Sequence, residues 1–320
     1  MSTPLVSILI PCFNCATWVA RAVQSALDQT WEPKEVIVID DGSTDNSWQV
    51  IRSFGSAIRA QQQVNQGPAK TRNRLLALSR GNWLQYLDAD DELTPDKIER
   101  QIEYCHLGDV LYGSMQMIWF DGIAPIRQTE KRAVSQIDAW AGWFRWLYPN
   151  PGAFLFRRDL LKQIGGWDES YKLLCEDYAL LSRLLFVKAC LVATPDAWSI
   201  YRQWSNTQSV NKYEAEIAEV RLGLMLQVAQ RLEEQDELNV ERKRAFLESA
   251  FPIVRNLYAF NPETGVRAWA RLRDAACPLV PPSACTPAAY RCLYRLFGFV
   301  VAERMAAFRR NLLHTSGSRL

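Results

Sequence analysis

Residues 83–93 read WLQYLDADDEL, an apolar run that ends in a cluster of carboxylates. The cluster consists of Asp88, Asp90, Asp91 and Glu92. Like charges at this spacing repel one another, so a cation, backbone N–H donors or open solvent must stabilise them. The apolar run predicts a buried strand, and the acidic cluster then forms the loop at the carboxyl end of that strand.

Two earlier segments have the same organisation. The run VSILI (6–10) precedes PCFN (11–14), and the run VIVI (36–39) precedes DDGS (40–43). Segments with helical periodicity separate these strands, and this alternation predicts an α/β fold with a mostly parallel sheet and helices on both faces. Ligands of such sheets bind beyond the carboxyl ends of the strands, so the three polar loops predict one binding edge.

Composition excludes several classes of protein. The chain has 320 residues, with 37 Lys and Arg against 35 Asp and Glu, so its balanced charge predicts no nucleic-acid partner. It contains no apolar run long enough to cross a bilayer and no basic leader at its N-terminus. We therefore expect a cytoplasmic protein, with a position at the inner face of the membrane as the alternative.

The cysteines and histidines offer little for metal or redox chemistry. Eight cysteines are scattered along the chain, and an intracellular protein keeps such thiols reduced. Cys12 and Cys15 form a C-x-x-C after a strand, which leaves a thioredoxin-like redox site as an alternative. With only two histidines in the chain, triads and metal sites built on histidine are disfavoured.

The acidic cluster has two open interpretations. It is a solvated loop next to a helix N-terminus, or it is a D-x-D site in which Asp88 and Asp90 hold a divalent cation that bridges the phosphates of a nucleotide. Mg²⁺ and Mn²⁺ prefer oxygen ligands and often take only one or two from the protein. The second interpretation explains why the carboxylates follow a strand at the predicted binding edge.

Six motifs, in this order and spacing, resemble the inverting family 2 glycosyltransferases, which have the GT-A fold. The resemblance covers about residues 4–205, and it rests on VSILIPCFN (6–14), VIVIDDGSTDNS (36–47), NQGPAKTRN (65–73), LQYLDADDEL (84–93), GGWDESY (165–171) and CEDYALLSRL (175–184).

The resemblance implies a nucleotide site at the first two loops. Pro11, Phe13 and Asn14 would line the nucleoside. Asp41 is similar to the acid that accepts a hydrogen bond from a pyrimidine ring N–H, a role that suits a carboxylate. Capping of a helix is the alternative for Asp41.

The same resemblance implies the roles of the next two motifs. Asn65, Gly67 and Arg72 would contact the base or the phosphates, with a surface position on a helix as the alternative for Arg72. Asp88 would contact the ribose or a metal-bound water, and Asp90 would bind Mn²⁺ or Mg²⁺ directly.

On the acceptor side, the resemblance implies that Asp177 deprotonates the acceptor hydroxyl. Glu176 would orient the site or would itself be the base. The alternative for both is an ordinary acidic first turn of a helix. Trp167 and Asp168 would also lie on the acceptor side, where Trp167 either stacks on a sugar ring or is buried.

One position departs from the family pattern. In YRQW (201–204), Trp204 stands where many relatives carry histidine. The indole N–H is only a donor, so Trp204 cannot replace a histidine that supports the metal or the diphosphate.

The domain prediction follows from these limits. Residues 1–213 form the catalytic domain, with a nucleotide-binding half at about 1–105 and an acceptor half at about 106–213, and residues 214–320 form a helical region. Within that region, 288–313 is basic and amphipathic. It predicts peripheral contact with an anionic membrane, or else packing against the catalytic domain or a homodimer contact.

The function that the resemblance implies is transfer of a sugar from a nucleotide-diphosphate sugar, with UDP favoured, to a saccharide or lipid-linked saccharide in cell-surface polysaccharide or glycolipid synthesis. Two alternatives stay open. A sugar-nucleotide nucleotidyltransferase normally has a glycine-rich basic loop after its first strand, where this chain has PCFN. A catalytically dead scaffold that binds nucleotide sugars is the other alternative.

Overall fold

The computed structural model describes residues 3–134, 138–171, 175–204, 214–276 and 278–316, with side chains up to residue 309. The chain divides into two compact units. The first comprises Met1–Ala139 and Tyr148–Gln208, and the second comprises Trp140–Leu147 and Ser209–Leu320. The predicted boundary near residue 213 lies outside the described residues.

A mixed sheet forms the first unit. Within the described residues its strands are β1 (Val6–Cys12), β2 (Lys34–Asp40), β3 (Arg59–Gln62), β4 (Trp83–Tyr86), β5 (Glu92–Leu93), β6 (Val110–Asp121), β7 (Ala124–Lys131), β8 (Phe154–Arg157) and β9 (Leu191–Trp204). Their order is β3-β2-β1-β4-β8-β6-β9-β5, and β7 pairs with β6. Strands β1 to β4 run parallel to one another, so their carboxyl ends meet at one edge. The predicted α/β fold is confirmed.

Helices connect and cover these strands. They are α1 (Val19–Leu27), α2 (Ser47–Arg52), α3 (Pro68–Leu78), α4 (Lys97–Ile102), α6 (Arg158–Gln163) and α7 (Glu176–Phe186), whereas α5 (Ala139–Phe144) belongs, from Trp140 on, to the second unit. Residues 6–10 of β1 are all buried, which requires cover on both faces of the sheet. The apolar stripe of α1, formed by Val19, Ala22, Val23 and Ala26, is fully buried in the same core.

The second unit is helical. It contains α8 (Glu214–Glu234), α9 (Val240–Phe260), α10 (Pro262–Ala275) and α11 (Ala288–Ser316). The tryptophan-rich segment Trp140–Leu147 belongs to this unit, where the ring of Phe144 lies 5.4 Å from that of Phe246. Trp143 is completely buried, so this segment contributes to a core. Within the described residues, no helix is both long and apolar enough to span a membrane.

Candidate active site

A cavity of about 470 Å³ lies at the carboxyl ends of β1, β2 and β4, beside the N-terminus of α3. It brings together all the residues predicted for the nucleotide and metal sites: Pro11, Phe13, Asn14, Asp41, Asn65, Gly67, Arg72, Asp88 and Asp90. The residues that line it do not include Trp167, Asp168, Glu176 or Asp177.

Asn14 joins the loops that follow β1 and β2. Its backbone has a positive φ of 50°, which asparagine tolerates better than most residues. Its side-chain oxygen accepts a hydrogen bond of 2.8 Å from the backbone N–H of Thr44, and its own N–H donates to Oγ of Ser43 at 2.9 Å. The neighbouring Phe13 is half exposed at the wall of the cavity.

Asp41 organises the loop before α3. It is buried, and its carboxylate accepts hydrogen bonds from the backbone N–H groups of Gln66 at 3.0 Å and Gly67 at 2.9 Å. Both donors precede Pro68, the first residue of α3, so Asp41 holds the loop before the helix and does not cap a helix. Oδ2 accepts only the bond from Gly67 among the described residues, so it retains a lone pair for a further donor.

Gly42 makes the approach of these two loops possible. Its φ is 76°, and a Cβ added to it would lie 2.8 Å from the backbone nitrogen of Asn65. A larger residue would therefore be strained and would push the 63–67 segment away from the cavity.

Arg72 connects the cavity to the first turn of α7. Its side chain is only 8% exposed, so the surface alternative is wrong. Nη2 donates to Asp88 at 2.8 Å, and Nη1 donates to Glu176 at 3.1 Å. The guanidinium carbon lies 4.7 Å from the ring centre of Trp167, within cation–π range. One arginine thus links the predicted donor site to both acceptor-side motifs.

The acidic loop after β4 is held by an arginine that the sequence analysis did not single out. Arg202, on β9, donates from its guanidinium to the backbone oxygen of Asp90 at 2.7 Å and to the carboxylate of Glu92. Its backbone N–H donates to Asp91 at 2.9 Å. The sequence signal was a charged residue between the aromatic side chains of Tyr201 and Trp204. Such a residue is expensive to bury without a partner.

Asp91 and Asp90 differ sharply despite being neighbours. Asp91 is 1% exposed and also accepts a hydrogen bond of 2.9 Å from the side chain of Asn150, which gives it a structural role. Asp90 is half-buried at the cavity wall, where burial and the charge of Asp88 raise its pKa to about 6. A bound cation would favour its charged form.

Asp88 and Asp90 at the cavity wall fit a divalent cation that also binds phosphate. Within the described part of the chain, no group of three or more His, Cys, Asp or Glu side chains is arranged to hold a metal on its own. Asp90 and Asp88 instead offer two carboxylates at the wall of an open cavity. That is the number of protein ligands Mg²⁺ often uses when phosphates and waters complete its shell.

Glu176 and Asp177 form the first turn of α7, as their acidic-turn alternative requires. Oε1 of Glu176 is paired with Arg72, while Oε2 is buried without a partner among the described residues. Asp177 is half-buried, and burial together with the charge of Glu176 raises its pKa to about 6. A carboxylate with such a pKa is a competent proton acceptor near neutral pH.

Trp167 and Asp168 are held in place by contacts within the protein. Trp167 is 2% exposed, packs edge-on against Tyr86 at 5.1 Å and exchanges backbone hydrogen bonds with the side chain of Asn73. Its ring is buried beneath Arg72, which agrees with the second of its two interpretations. Asp168 accepts hydrogen bonds from the N–H and hydroxyl of Ser170, and these bonds lower its pKa.

Trp204 lies in an aromatic cluster. Its ring is 5.8 Å from that of Trp18 and 6.2 Å from that of Phe120. Arg202 also covers Trp18, at 4.9 Å, because residues 202 and 204 point to the same face of β9. Tryptophan at this position therefore packs beside the arginine that holds the acidic loop.

The environment of Cys12 and Cys15 disfavours the redox alternative. Burial raises the pKa of both thiols, that of Cys12 to about 12. A reactive dithiol needs the opposite shift, because the thiolate is the nucleophile.

The fold and the cavity define the class of protein as an α/β protein with a cavity lined by carboxylates at the strand ends. Residues 7–165 match the family model "Glycosyl transferase family 2", and the chain belongs to this family. It is 42% identical over 99 residues to a chondroitin synthase of Pasteurella multocida, which covers 30% of this chain and 10% of that protein.

A second relative is the UDP-Glc:alpha-D-GlcNAc-diphosphoundecaprenol beta-1,3-glucosyltransferase WfaP of Escherichia coli, 34% identical over 110 residues, or 34% of this chain and 44% of that protein. This chain thus spans less than half the length of either relative. The structure of S. aureus TarS 1–349 superposes with a TM-score of 0.66 at 19% identity, over 96% of this chain and 91% of that one. This likeness identifies the GT-A fold.

Proposed function

We propose that this protein is an inverting glycosyltransferase that moves a sugar from a nucleotide-diphosphate sugar to a hydroxyl group of a saccharide or lipid-linked saccharide. The main support for this proposal is the cavity at the strand ends, where Asp41, Arg72, Asp88 and Asp90 come together. A UDP-sugar is the favoured donor. A TarS structure in complex with UDP-GlcNAc, similar to this chain with a TM-score of 0.56, supports that choice.

In the proposed complex the nucleobase of the donor lies near Asp41 and beside the half-exposed ring of Phe13. The free lone pair on Oδ2 of Asp41 accepts a hydrogen bond from a ring N–H of the nucleobase. The diphosphate lies toward Asp90. Mn²⁺ or Mg²⁺ held by Asp90 and Asp88 would neutralise the charge that develops on the departing diphosphate. The cation would thus take the place of a general acid that protonates the leaving group.

Inversion requires one base opposite the leaving group. Asp177 accepts the proton of the acceptor hydroxyl as the oxygen forms its bond to the anomeric carbon and the bond from that carbon to the diphosphate breaks. Glu176 is the weaker candidate, because its charge is already paired with Arg72 at 3.1 Å. Arg72 instead links Glu176 to Asp88 and fixes the first turn of α7 relative to the donor cavity.

Polysaccharide or glycolipid synthesis is the proposed setting, supported by relatives whose names specify chondroitin synthesis and a lipid diphosphate acceptor. A homodimer remains a prediction.

Calorimetric titration of UDP, GDP and dTDP, each with Mn²⁺, Mg²⁺ or EDTA, tests the donor site in the wild-type protein and in Asp90→Ala. We expect metal-dependent binding of one nucleotide, UDP first, that is lost in the variant. Failure of the folded protein to bind any nucleotide with metal present would overturn the proposal. Binding without hydrolysis of the nucleotide sugar or transfer to any acceptor would instead indicate the dead scaffold.

A further inference from the structure

Within its described residues, helix α11 packs on the helical unit through one face. Gly298, with a φ of 79°, interrupts the helix, and Phe299, which follows it, contacts α9 and α10. Phe299 stacks on Trp269 at 5.6 Å, and Glu303 is 1% exposed, where it accepts hydrogen bonds from Arg255 and from the hydroxyl of Tyr290. This face is therefore fixed by a buried aromatic contact and a buried ion pair.

The opposite face of the second half of α11 is exposed and amphipathic. Its members recur with the spacing of a single helical stripe: Val301, Arg304, Met305, Phe308 and Arg309. Met305 is 49% exposed and Phe308 is 61% exposed. Large apolar side chains thus alternate with arginines along two turns of helix that no described residue covers.

The first half of α11 repeats this combination. Cys292, Arg295 and Leu296 have the same helical spacing and are exposed, and Phe297 is exposed beside them. Leu296 and Phe297 are 67% and 61% exposed, respectively. The apolar and basic character of the helix surface therefore continues on both sides of Gly298.

The charge of this surface has one sign. From 288 to 309 the chain contains four arginines and a single acidic residue, Glu303, which the ion pair with Arg255 already neutralises. An exposed surface with apolar side chains, arginines and no exposed acid matches a surface that is both apolar and anionic. Symmetric contact with a second copy would instead bring like charges together.

We propose that α11 docks on an anionic lipid surface, with Leu296, Phe297, Met305 and Phe308 entering the boundary between headgroups and acyl chains. Arg295, Arg304 and Arg309 contact lipid phosphates. Helices with strong apolar and basic faces bind membranes in this manner, through buried apolar area together with attraction to anionic lipid. This surface stands independently of the proposed transferase activity.

Sedimentation of the full chain with lipid vesicles tests the proposal. One vesicle contains phosphatidylcholine alone, and the other contains phosphatidylcholine with phosphatidylglycerol. We expect at least tenfold tighter binding to the anionic vesicle, weakened by salt. The variant with Arg304→Gln and Arg309→Gln should lose roughly 30-fold in affinity, and Phe308→Glu should lose at least tenfold.

A matched control lies in the same helical unit. Phe260, at the end of α9, is 74% exposed, so Phe260→Glu makes the same change on an aromatic outside α11 and should bind as the wild type does. Circular dichroism checks that each variant is folded. Equal binding to both vesicles overturns the proposal, and so does the absence of vesicle binding. If Phe308→Glu abolishes a dimer in ultracentrifugation without affecting vesicle binding, the surface is a self-association site and the proposal is wrong.

Discussion

The acidic loop after β4 and the acidic first turn of α7 each contain a similar pair of carboxylates. Each has one carboxylate bound to Arg72, Asp88 in the loop and Glu176 in the helix. In each, burial and a neighbouring charge raise the pKa of the second carboxylate, Asp90 or Asp177, to about 6. They differ in location, because Asp90 lines the donor cavity and Asp177 does not.

This difference is the basis for proposing different roles for two similar carboxylates. A carboxylate at the wall of the cavity can share a cation with a bound diphosphate, whereas our proposal assigns the carboxylate outside it, Asp177, to the acceptor hydroxyl. The raised pKa alone is compatible with binding a cation or a proton. Location relative to the donor therefore separates the proposed cation ligand from the proposed base.

The largest expected effect is that of Asp177→Asn. The amide keeps the shape of the side chain but cannot accept the acceptor proton, so kcat should fall by roughly 10³-fold. Binding of UDP with Mn²⁺ should stay unchanged, because Asp177 does not line the donor cavity. Steady-state kinetics and calorimetry on the same preparation measure the two quantities.

Glu176→Gln is the matched control for that experiment. Its charge is paired with Arg72, so its removal should affect kcat much less than loss of the base does. If Glu176→Gln lowers kcat as strongly as Asp177→Asn, or more strongly, the assignment of the two residues must be reversed.

Asp90→Asn should weaken binding of the cation, which Asp177→Asn should leave unchanged. Loss of a negatively charged ligand should weaken Mn²⁺ binding in the presence of UDP by roughly 100-fold. Paramagnetic resonance of free Mn²⁺ measures this directly and independently of turnover. A variant that binds Mn²⁺ and UDP normally but has lost activity would show that Asp90 acts in the chemical step instead.

A smaller effect is expected at Arg202, which holds the acidic loop from β9. Arg202→Met removes the donors to the backbone oxygen of Asp90 and to Glu92, so Mn²⁺ affinity should fall roughly 10–30-fold, as for other groups that orient a metal ligand. Arg202→Lys keeps the charge and one donor and should recover part of the loss. Unchanged Mn²⁺ affinity in a folded Met variant would remove Arg202 from the site.

The sequence patterns predicted the sheet and its binding edge because both depend on local regularities. Buried strands ended by polar loops are visible along the chain, and the parallel order of β1 to β4 brings those loops together. Helix α10 was predicted only as part of the helical region 214–320, and its bounds were not placed, although Asn261 caps it by accepting from the N–H groups of Glu263 and Thr264 and Pro262 occupies its first position.

The contacts of the site could not be predicted, because they join residues far apart in sequence. Arg72 and Glu176 are 104 positions apart, and Arg202 and Asp90 are 112 positions apart. A motif identifies which residue types lie near the cavity. It does not say which of two adjacent carboxylates an arginine neutralises, because that depends on how α3, α7 and β9 pack.

The smallest expected effect, the pH dependence of kcat, separates the two acidic segments once more. A base must be deprotonated to act. With a pKa of about 6 for Asp177, kcat should therefore be constant above neutral pH and fall about tenfold from pH 7 to pH 5. Saturating Mn²⁺ and donor hold the acidic loop in its charged form, so this fall belongs to the base alone. In Glu176→Gln the negative neighbour is absent, the pKa of Asp177 falls, and the acidic limb of the profile should move to lower pH. A pH profile of kcat that does not move in this variant would show that the titrating group is not next to Glu176. Asp177 would then not be the group that accepts the proton of the acceptor hydroxyl.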